Sequence, residues 1–323
     1  MAQAWELDTH ATYSSGLLHF MVFCDKKNVP ERDRAPADHV LLLSFVSTLA
    51  GAYSGSAISN YLYGVRAWHI LHRVPWRVEK AEMDAMLKAA EKVTPASLKR
   101  KKQRPYTIKF MLAIRQHLDL SKPLNASVFA CLTTCFFGTG RVGEFTVLRL
   151  DGFNPEIHIS RERIAYDQTR EGQKVTVLHV PRTKTSQQGE DLCWARQEGL
   201  VDPEAALYHH LEVNDLPSQG HLFAYRHKNG HRPLTKSKFI SALAGAARAA
   251  GLEPLQGHSI RIGLTLEYLL RGVPFDVMKV KGRWTSDAFI LYLRKHAQIL
   301  APYIQAVPAV HDTFVRLTMP AVR

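Results

Sequence analysis

The sequence lacks the features that mark secreted, membrane-spanning or disulfide-stapled proteins. Its four cysteines, Cys24, Cys131, Cys135 and Cys193, fit neither a disulfide framework nor a CxxC zinc module. No apolar run approaches the roughly 20 residues that a helix needs to cross a bilayer, and the N-terminal stretch has no signal-peptide pattern. We therefore expect a soluble, intracellular protein in a reducing compartment, with no membrane partner.

The sequence also has no internal repeat and no low-complexity tract, and its 323 residues suggest two domains. Hydrophobic residues make up 46% of the chain, which is enough to build packed cores. The chain is rich in positive charge, because 42 Lys and Arg against 29 Asp and Glu give a net charge of +13. The parts before and after residue 105 are both positive. A polyanionic partner accounts for this excess, and a merely solubilising surface is the alternative.

The first hundred residues have the apolar spacing of helices. One helix is predicted through residues 13–24 and ends at 28–30, where Pro30 stands. Asp38 is a candidate cap for the second helix and Ser56 for the third. A fourth helix follows Pro75. Four short helices predict a small bundle.

A basic segment follows this bundle, bracketed by Pro95 and Pro105, and it predicts a domain boundary. Three interpretations stay open: a solvated linker, a strap across DNA phosphates, and a nuclear-localisation signal. Its basic residues, and candidate DNA contacts, are Lys99, Arg100, Lys101, Lys102 and Arg104.

After Pro105 the pattern mixes helices with short strands. Apolar spacing predicts helices over 106–117 and 127–137, and β-branched runs predict strands at 157–159, 164–166 and 175–180. From Pro203 the chain is again largely helical, with helices predicted over 237–250, 258–270, 274–280 and 285–295. The sequence therefore predicts a second part that is mainly α with a small antiparallel β-sheet.

Two polar patterns in this part stand near predicted turns. In Gly140-Arg141-Val-Gly-Glu144, the Arg and the Glu are three residues apart and share a helical face. An ordinary surface ion pair, worth a few tenths of a kcal/mol, is the alternative. The second pattern is Val180-Pro-Arg-Thr-Lys184, at the end of a strand and before a polar turn. A solvated lysine is the alternative there.

Two further patterns stand in the helical region. His258-Ser-Ile-Arg261 brings an imidazole and a guanidinium to the start of a helix, where a cap and a surface charge are the alternative. Gly282-Arg-Trp284 leads through an apolar segment to Tyr292. Taken alone, a tyrosine in such a helix is a core or interface aromatic. The order and spacing of the four patterns together favour a shared function.

This ordered set resembles the tyrosine recombinase (phage integrase) family. That family has an Arg in a G-x-G/L-R-x-x-E stretch, a Lys in a β-hairpin, an H-x-x-R box, a His or Trp, and a nucleophilic Tyr near the C-terminus. The resemblance covers residues 106–305 by motif and the N-terminal bundle more loosely. The Gly-Arg-Trp-Thr-Ser-Asp-Ala-Phe form of the fourth pattern resembles recombinases of eukaryotic, especially fungal, mobile elements such as Cryptons. The matching residues are Arg141, Glu144, Lys184, His258, Arg261, Trp284 and Tyr292.

The intervals also resemble those of the family. Arg141 and Arg261 are 120 residues apart, and Tyr292 follows 31 residues later. Trp284 precedes Tyr292 by eight residues, one fewer than the commoner family interval. Tyr268 lies too near the H-x-x-R box and Tyr303 lies beyond Pro302, so neither serves better as the nucleophile.

The resemblance implies both the domain organisation and the roles of the site residues. It implies a helical core-binding domain over 1–98, a basic linker over 99–105, an α/β catalytic domain over 106–305 and a tail over 306–323. The tail either docks on a neighbouring protomer or packs on its own subunit.

In the implied reaction, Tyr292 attacks a DNA phosphate, which two guanidiniums hold through forked hydrogen bonds. Neither a metal nor another cofactor is required, and the sequence has no carboxylate cluster that would bind two magnesium ions. The implied roles are phosphate binding by Arg141 and Arg261, proton transfer or donation by His258, N–H donation by Trp284, general-acid catalysis by Lys184 and orientation of neighbours by Glu144.

The implied partner is double-stranded DNA, bound by a homotetramer on two duplexes, with no small-molecule substrate. Strand exchange through a Holliday junction makes the chain a site-specific recombinase or a mobile-element integrase. A type IB topoisomerase shares the chemistry, and a domesticated DNA-binding regulator that no longer cuts is the alternative from another class. Nuclear residence follows if the source is eukaryotic, and cytoplasmic residence otherwise.

Overall fold

The computed structural model describes residues 7–99, 101–183, 186–284, 290, 294, 296–304 and 307. The chain divides into two compact units, Met1–Lys102 and Gln103–Arg323. This division falls inside the segment that the sequence predicts as a linker. Each unit has its own apolar core. The functions assigned to the two units stay predictions.

The first unit is helical, and its helices pack closely. A Cβ at Gly16 would lie 2.6 Å from the backbone of Tyr61, so the first and third helices touch through their main chains. Asp38 caps the second helix, because its carboxylate accepts the N–H of Leu41 at 3.0 Å. The predicted cap of the third helix was wrong by two residues: Ser54, not Ser56, accepts the N–H of Ala57. The helices are α1 (Leu7–Lys26), α2 (His39–Leu49), α3 (Gly55–Leu71) and α4 (Lys80–Lys92).

The second unit is built around one helix, α6 (Pro123–Phe137). Every residue from 126 to 137 is buried, which is the pattern of a helix that other elements cover on all sides. The remaining helices are α5 (Ile108–Gln116), α7 (Val142–Phe145), α8 (Pro203–Asn214), α9 (Lys236–Ala249), α10 (His258–Leu270), α11 (Phe275–Lys281) and α12 (His296–Ile304). The predicted helix over 285–295 lies outside the described residues, apart from residues 290 and 294.

Between α7 and α8 the chain forms a small antiparallel sheet of three strands, in the order β1-β2-β3. Alternate residues of β2 are buried, as expected for a strand with one face on a core. A separate short hairpin, β4-β5, precedes α9. The strands are β1 (Ile164–Gln168), β2 (Lys174–Val180), β3 (Glu190–Ala195), β4 (Tyr225–His227) and β5 (Gly230–Arg232).

The mainly α fold with a small antiparallel sheet is confirmed, but the strand at 157–159 was wrong. Asn154 folds this segment into a turn, because its carbonyl accepts the N–H groups of Ile157 (3.1 Å) and His158 (2.9 Å). The strand β3 and the hairpin β4-β5 were not predicted. None of the helices in the described part of the chain combines the length and the apolar character that a membrane span requires.

In the described part of the second unit, two histidines are buried, His210 in α8 and His221 before β4. His210 Nε2 donates to the carbonyl of Leu222 at 2.8 Å, and His221 Nδ1 accepts the N–H of Phe223 at 3.2 Å. Burial lowers the pKa of His210 to about 4 and the pKa of His221 to about 3. Both rings are therefore neutral in the folded protein at pH 7.

We expect the second unit to lose stability on mild acidification because of these two rings. A histidine whose pKa is lowered by folding contributes fully above its unfolded pKa of about 6.5, and this contribution is lost as the pH falls towards the folded value. Between pH 7 and pH 5 the loss is about 2 kcal/mol for each ring. Urea unfolding at the two pH values measures it.

The matched variant for this measurement is His221→Asn. Its side-chain oxygen still accepts the N–H of Phe223, but the amide does not titrate. The free energy of unfolding of this variant should fall by about 2 kcal/mol less than that of the wild type between the two pH values. An equal fall in both proteins would contradict the prediction.

Candidate active site

Two helices of the second unit end in the same way and are joined at their ends. Both have a left-handed residue just past the helix, Thr139 (φ 57°) after α6 and Arg283 (φ 54°) after α11. In both, the next residue, Gly140 or Trp284, donates its N–H to a carbonyl of the last helical turn at 3.1 Å. The Thr139 hydroxyl donates to the carbonyl of Lys281 at 2.9 Å. The segments that follow the two helices therefore leave from neighbouring points.

The first of these segments carries Arg141. Glu144 accepts the backbone N–H of Arg141 at 2.8 Å and its guanidinium Nη1 at 2.9 Å, so the predicted pair is in contact. The carboxylate is buried, whereas the Arg141 side chain is 30% exposed. A Cβ at Gly140 would overlap the ring of Phe145, so only glycine allows this approach. These contacts fix the direction of the Arg141 side chain.

The segment that follows α11 contacts α10, which begins at His258 as predicted. Arg261, in the first turn of α10, is buried, and its Nη2 donates to the carbonyl of Gly282. The guanidinium also stacks on the ring of Trp284, 4.5 Å from the ring centroid. A Cβ at Gly282 would overlap the same ring. The predicted residues Arg261 and Trp284 are therefore adjacent, and the C-terminal end of α11 holds the cation.

A pocket of about 570 Å³ contains three of the predicted site residues. Arg141, His258 and Arg261 line one part of it, and apolar residues of α9 such as Ile240 line another. Partial desolvation, followed by the charges of Arg261, Arg294 and Arg141, lowers the pKa of His258. The pocket therefore offers two guanidiniums to an anion, with a neutral imidazole beside them.

Several predicted site residues are described only in part or lie outside the described residues. Tyr292, Lys184 and Arg100 lie outside them, so their roles stay predictions. In the basic segment, Lys99, Lys101 and Lys102 are exposed, and Arg104 forms an ion pair with Glu253. Within the described part of the chain, no three His, Cys, Asp or Glu side chains are grouped as metal ligands would be.

Two residues of the site were not predicted from the sequence, Arg283 and Glu190. Arg283 is buried and donates to Glu144 at 2.7 Å and to Glu190 at 3.0 Å. A partial signal was available for Arg283, which stands between the glycine and the tryptophan of the fourth pattern. No signal of local spacing pointed to Glu190 as a partner of Arg283, because the two residues are 93 positions apart in the chain.

Neither the family models nor the curated proteins give a match. Among solved structures, the post-cleavage complex of the XerH site-specific recombinase with palindromic difH substrate matches with a TM-score of 0.56 and 17% identity, over 91% of this chain and 79% of that one. The XerH pre-cleavage complex matches with a TM-score of 0.55 and 14% identity, over the same shares.

A lambda integrase (75–356) dimer bound to a COC′ core site matches with a TM-score of 0.51 and 13% identity, over 90% of this chain and 89% of that one. The chain has the fold of the tyrosine recombinases. At these identities, the likeness concerns the tyrosine recombinase fold, and the resemblance to Cryptons stays a prediction.

We expect the pKa of His258 to rise when Arg141 loses its charge. Arg141→Gln removes one of the three positive charges that disfavour the imidazolium form, so the ring should protonate at a higher pH. NMR titration of protein with ¹³C-labelled histidine measures the shift, and the loss of one signal in His258→Asn assigns it. Arg170→Gln, in the exposed turn between β1 and β2, should leave the pKa of His258 unchanged. If Arg141→Gln also leaves it unchanged, Arg141 does not act on this ring.

Proposed function

We propose that the protein is a site-specific DNA recombinase that cuts and rejoins DNA through a 3′-phosphotyrosyl bond to Tyr292. One observation carries the proposal: in a tyrosine recombinase fold, two distant segments bring Arg141, His258 and Arg261 to one pocket. Trp284, which precedes Tyr292 by eight residues, stacks on Arg261 at this pocket. The sequence order of the four patterns and this arrangement in space support the same reaction.

The two guanidiniums suit a phosphodiester whose negative charge grows during the reaction. Attack at phosphorus gives a five-coordinate state with added charge on its non-bridging oxygens. Guanidiniums stay charged at every physiological pH and donate forked hydrogen bonds to such oxygens. Glu144 orients Arg141, and the carbonyl of Gly282 orients Arg261, through contacts within the protein itself. Donors that are fixed in advance stabilise a transition state without reorganisation.

The proton transfers complete the proposed reaction. His258 takes the phenolic proton of Tyr292, because its lowered pKa leaves the imidazole neutral at pH 7. The phenolic oxygen bonds to phosphorus while the bond from phosphorus to the 5′ oxygen breaks. Lys184 gives a proton to that leaving oxygen. Religation reverses these steps, and the phosphotyrosyl bond conserves the energy that it needs.

Duplex DNA is the partner that the charge of the chain supports. A net charge of +13 favours a polyanion, and the exposed Lys99, Lys101 and Lys102 can neutralise phosphates. The similar structures hold difH substrate or a COC′ core site, and lambda integrase binds the latter as a dimer. As the resemblance of the four sequence patterns to the tyrosine recombinase family implies, we propose that four copies of this chain act on two duplexes and exchange strands through a Holliday junction.

The covalent bond to Tyr292 is open to a direct test that requires no knowledge of the target site. The protein is incubated with nicked duplexes of randomised sequence, in which the short cleaved fragment diffuses away and traps the adduct. Denaturing gels should show a covalent complex, and sequencing of the trapped DNA should give one preferred site. Trypsin releases residues 284–294, in which Tyr292 is the only tyrosine, so mass spectrometry can locate the nucleotide.

Tyr292→Phe should abolish the adduct, whereas Tyr268→Phe and Tyr303→Phe should retain it. Burial raises the pKa of Tyr268 to about 12, which makes its phenol a poor nucleophile. An adduct that persists in Tyr292→Phe would show that another residue attacks. The absence of any adduct in the wild type would indicate a non-cutting regulator. Relaxation of any supercoiled plasmid without a preferred site would indicate a type IB topoisomerase.

A further inference from the structure

Arg283 is a buried cation between two carboxylates that belong to different elements. Its side chain is 8% exposed. Nη2 lies 2.7 Å from Oε2 of Glu144 in α7, and Nη1 lies 3.0 Å from Oε2 of Glu190 in β3. One guanidinium therefore ties the end of α11 to both elements. A buried ion pair of this kind is costly to break on one side only, because the remaining charge stays desolvated.

Each of the two carboxylates also accepts a hydrogen bond from a second residue, which is either a predicted catalytic residue or its neighbour in the chain. The Oε2 atom of Glu144 that accepts from Arg283 also accepts the backbone N–H of Arg141. Likewise, Oε2 of Glu190 accepts both from Arg283 and from the hydroxyl of Thr183. Thr183 directly precedes Lys184 in the chain, and Glu190 pairs with the last residue of β2 at the base of the hairpin. Arg283 is thus linked through Glu144 to Arg141, and through Glu190 to Thr183, the residue before Lys184 in the chain.

The backbone at Arg283 gives an independent indication that the side chain is required. Its φ of 54° is left-handed, a conformation that favours glycine at this position after a helix. Arg73, after α3, has the same geometry with a φ of 57°, but it is exposed. A strained residue held in place by a buried network points to a functional constraint.

We propose that Arg283 is a positioning residue that acts on Arg141 through Glu144 and, through Glu190, on Thr183, the residue before the proposed general acid Lys184. This inference rests on the proposed function. Arg283 does not contact the phosphate; it pairs with Glu144 and Glu190 and fixes their directions. Glu144 then orients the phosphate-binding arginine, and Glu190 holds Thr183 through its hydroxyl.

The proposal predicts that the two arms of the network fail in chemically different ways. Cleavage of the natural substrate requires Lys184 to protonate the 5′ oxygen as it leaves. With sulfur in place of that bridging oxygen, the leaving group is a thiolate, whose conjugate acid has a pKa near 8.5, so no proton is needed. Tyr292 forms the same phosphotyrosyl bond in both reactions. The sulfur substrate therefore reports defects in the general acid separately from defects in phosphate binding.

Single-turnover cleavage is measured for each variant on the oxygen and sulfur forms of the site found by the adduct selection. The Lys184→Ala variant measures the full contribution of the general acid, and its cleavage of the oxygen substrate should be slower by about 10²- to 10⁴-fold. Glu190→Gln should be at least about 10-fold slow on oxygen and close to wild type on sulfur. Glu144→Gln should be slow on both. The Arg283→Gly variant should cleave both substrates more slowly than the wild type, and its defect should be smaller on the sulfur substrate than on the oxygen substrate.

Arg73→Gly is the matched control, because it relieves the same backbone strain at an exposed position outside the network. Its ratio of the cleavage rate on oxygen to that on sulfur should equal the wild-type ratio. Circular dichroism checks that each variant is folded. If Arg283→Gly does not fold, Arg283→Lys replaces it, since a lysine keeps the charge but not the fork that reaches both carboxylates.

Two results would overturn the proposal. One is wild-type cleavage of the oxygen substrate by a folded Arg283 variant. The other is a Glu190→Gln defect of equal size on oxygen and sulfur, which would mean that Glu190 acts only on stability. Both presuppose that the wild type forms the adduct at Tyr292. If it does not, the proposed function fails first, and the two failures are thus distinguishable.

Discussion

The last carbonyls of α6 and α11 have no partners within their helices, and the way in which they are satisfied shapes the whole site. Left-handed residues turn the chain back at both ends, and the hydroxyl of Thr139 joins one end to the other. The carbonyl of Gly282 receives the guanidinium of Arg261. Because these bonds tie the two helix ends to each other and to Arg261, the side chains that follow are fixed with little freedom. Arg141 and Trp284 owe their places to this arrangement.

The electrostatics of the site follow from which charges are already neutralised. Glu144 and Glu190 carry two negative charges beside a site proposed for a DNA phosphate, where they would repel the ligand. Arg283 lies between them and compensates part of that charge. Arg141 and Arg261 supply the remaining attraction. Partial burial of the His258 ring, together with these positive charges, lowers its pKa and keeps it neutral at pH 7. The same positive charges thus attract an anion and favour the neutral imidazole that a base requires. A single residue could not be positively charged for the first purpose and neutral for the second.

Sequence patterns predicted the parts of this structure that depend on local interactions. The helix that begins at His258 and the cap at Asp38 follow from neighbouring residues, and both are found. Ser54 and Ser56 are equivalent as local caps, and only the tertiary packing selects one. The apolar run at 157–159 has strand propensity, yet the turn at Asn154 outweighs it.

The site itself was predictable in part for the same reason. Arg141 and Glu144, like His258 and Arg261, are close in sequence, so their spacing is visible. The stacking of Trp284 on Arg261 joins two helices and was not visible in either pattern. The contacts of Arg283 with Glu190 span 93 residues and depend on the folded sheet. Long-range ion pairs of this kind leave no periodic signal in a single sequence.

The hydrogen bonds around Glu144 also have a thermodynamic consequence. The backbone N–H of Arg141 and the guanidinium of Arg283 donate to the same oxygen atom of Glu144. An anion that moves Arg141 therefore changes the hydrogen bonds of Glu144 and, with them, the contact to Arg283. We therefore expect occupancy of the pocket to be coupled to the placement of Arg283. Such coupling is reciprocal: if a bound anion favours one arrangement of Arg283, that arrangement strengthens anion binding by the same factor.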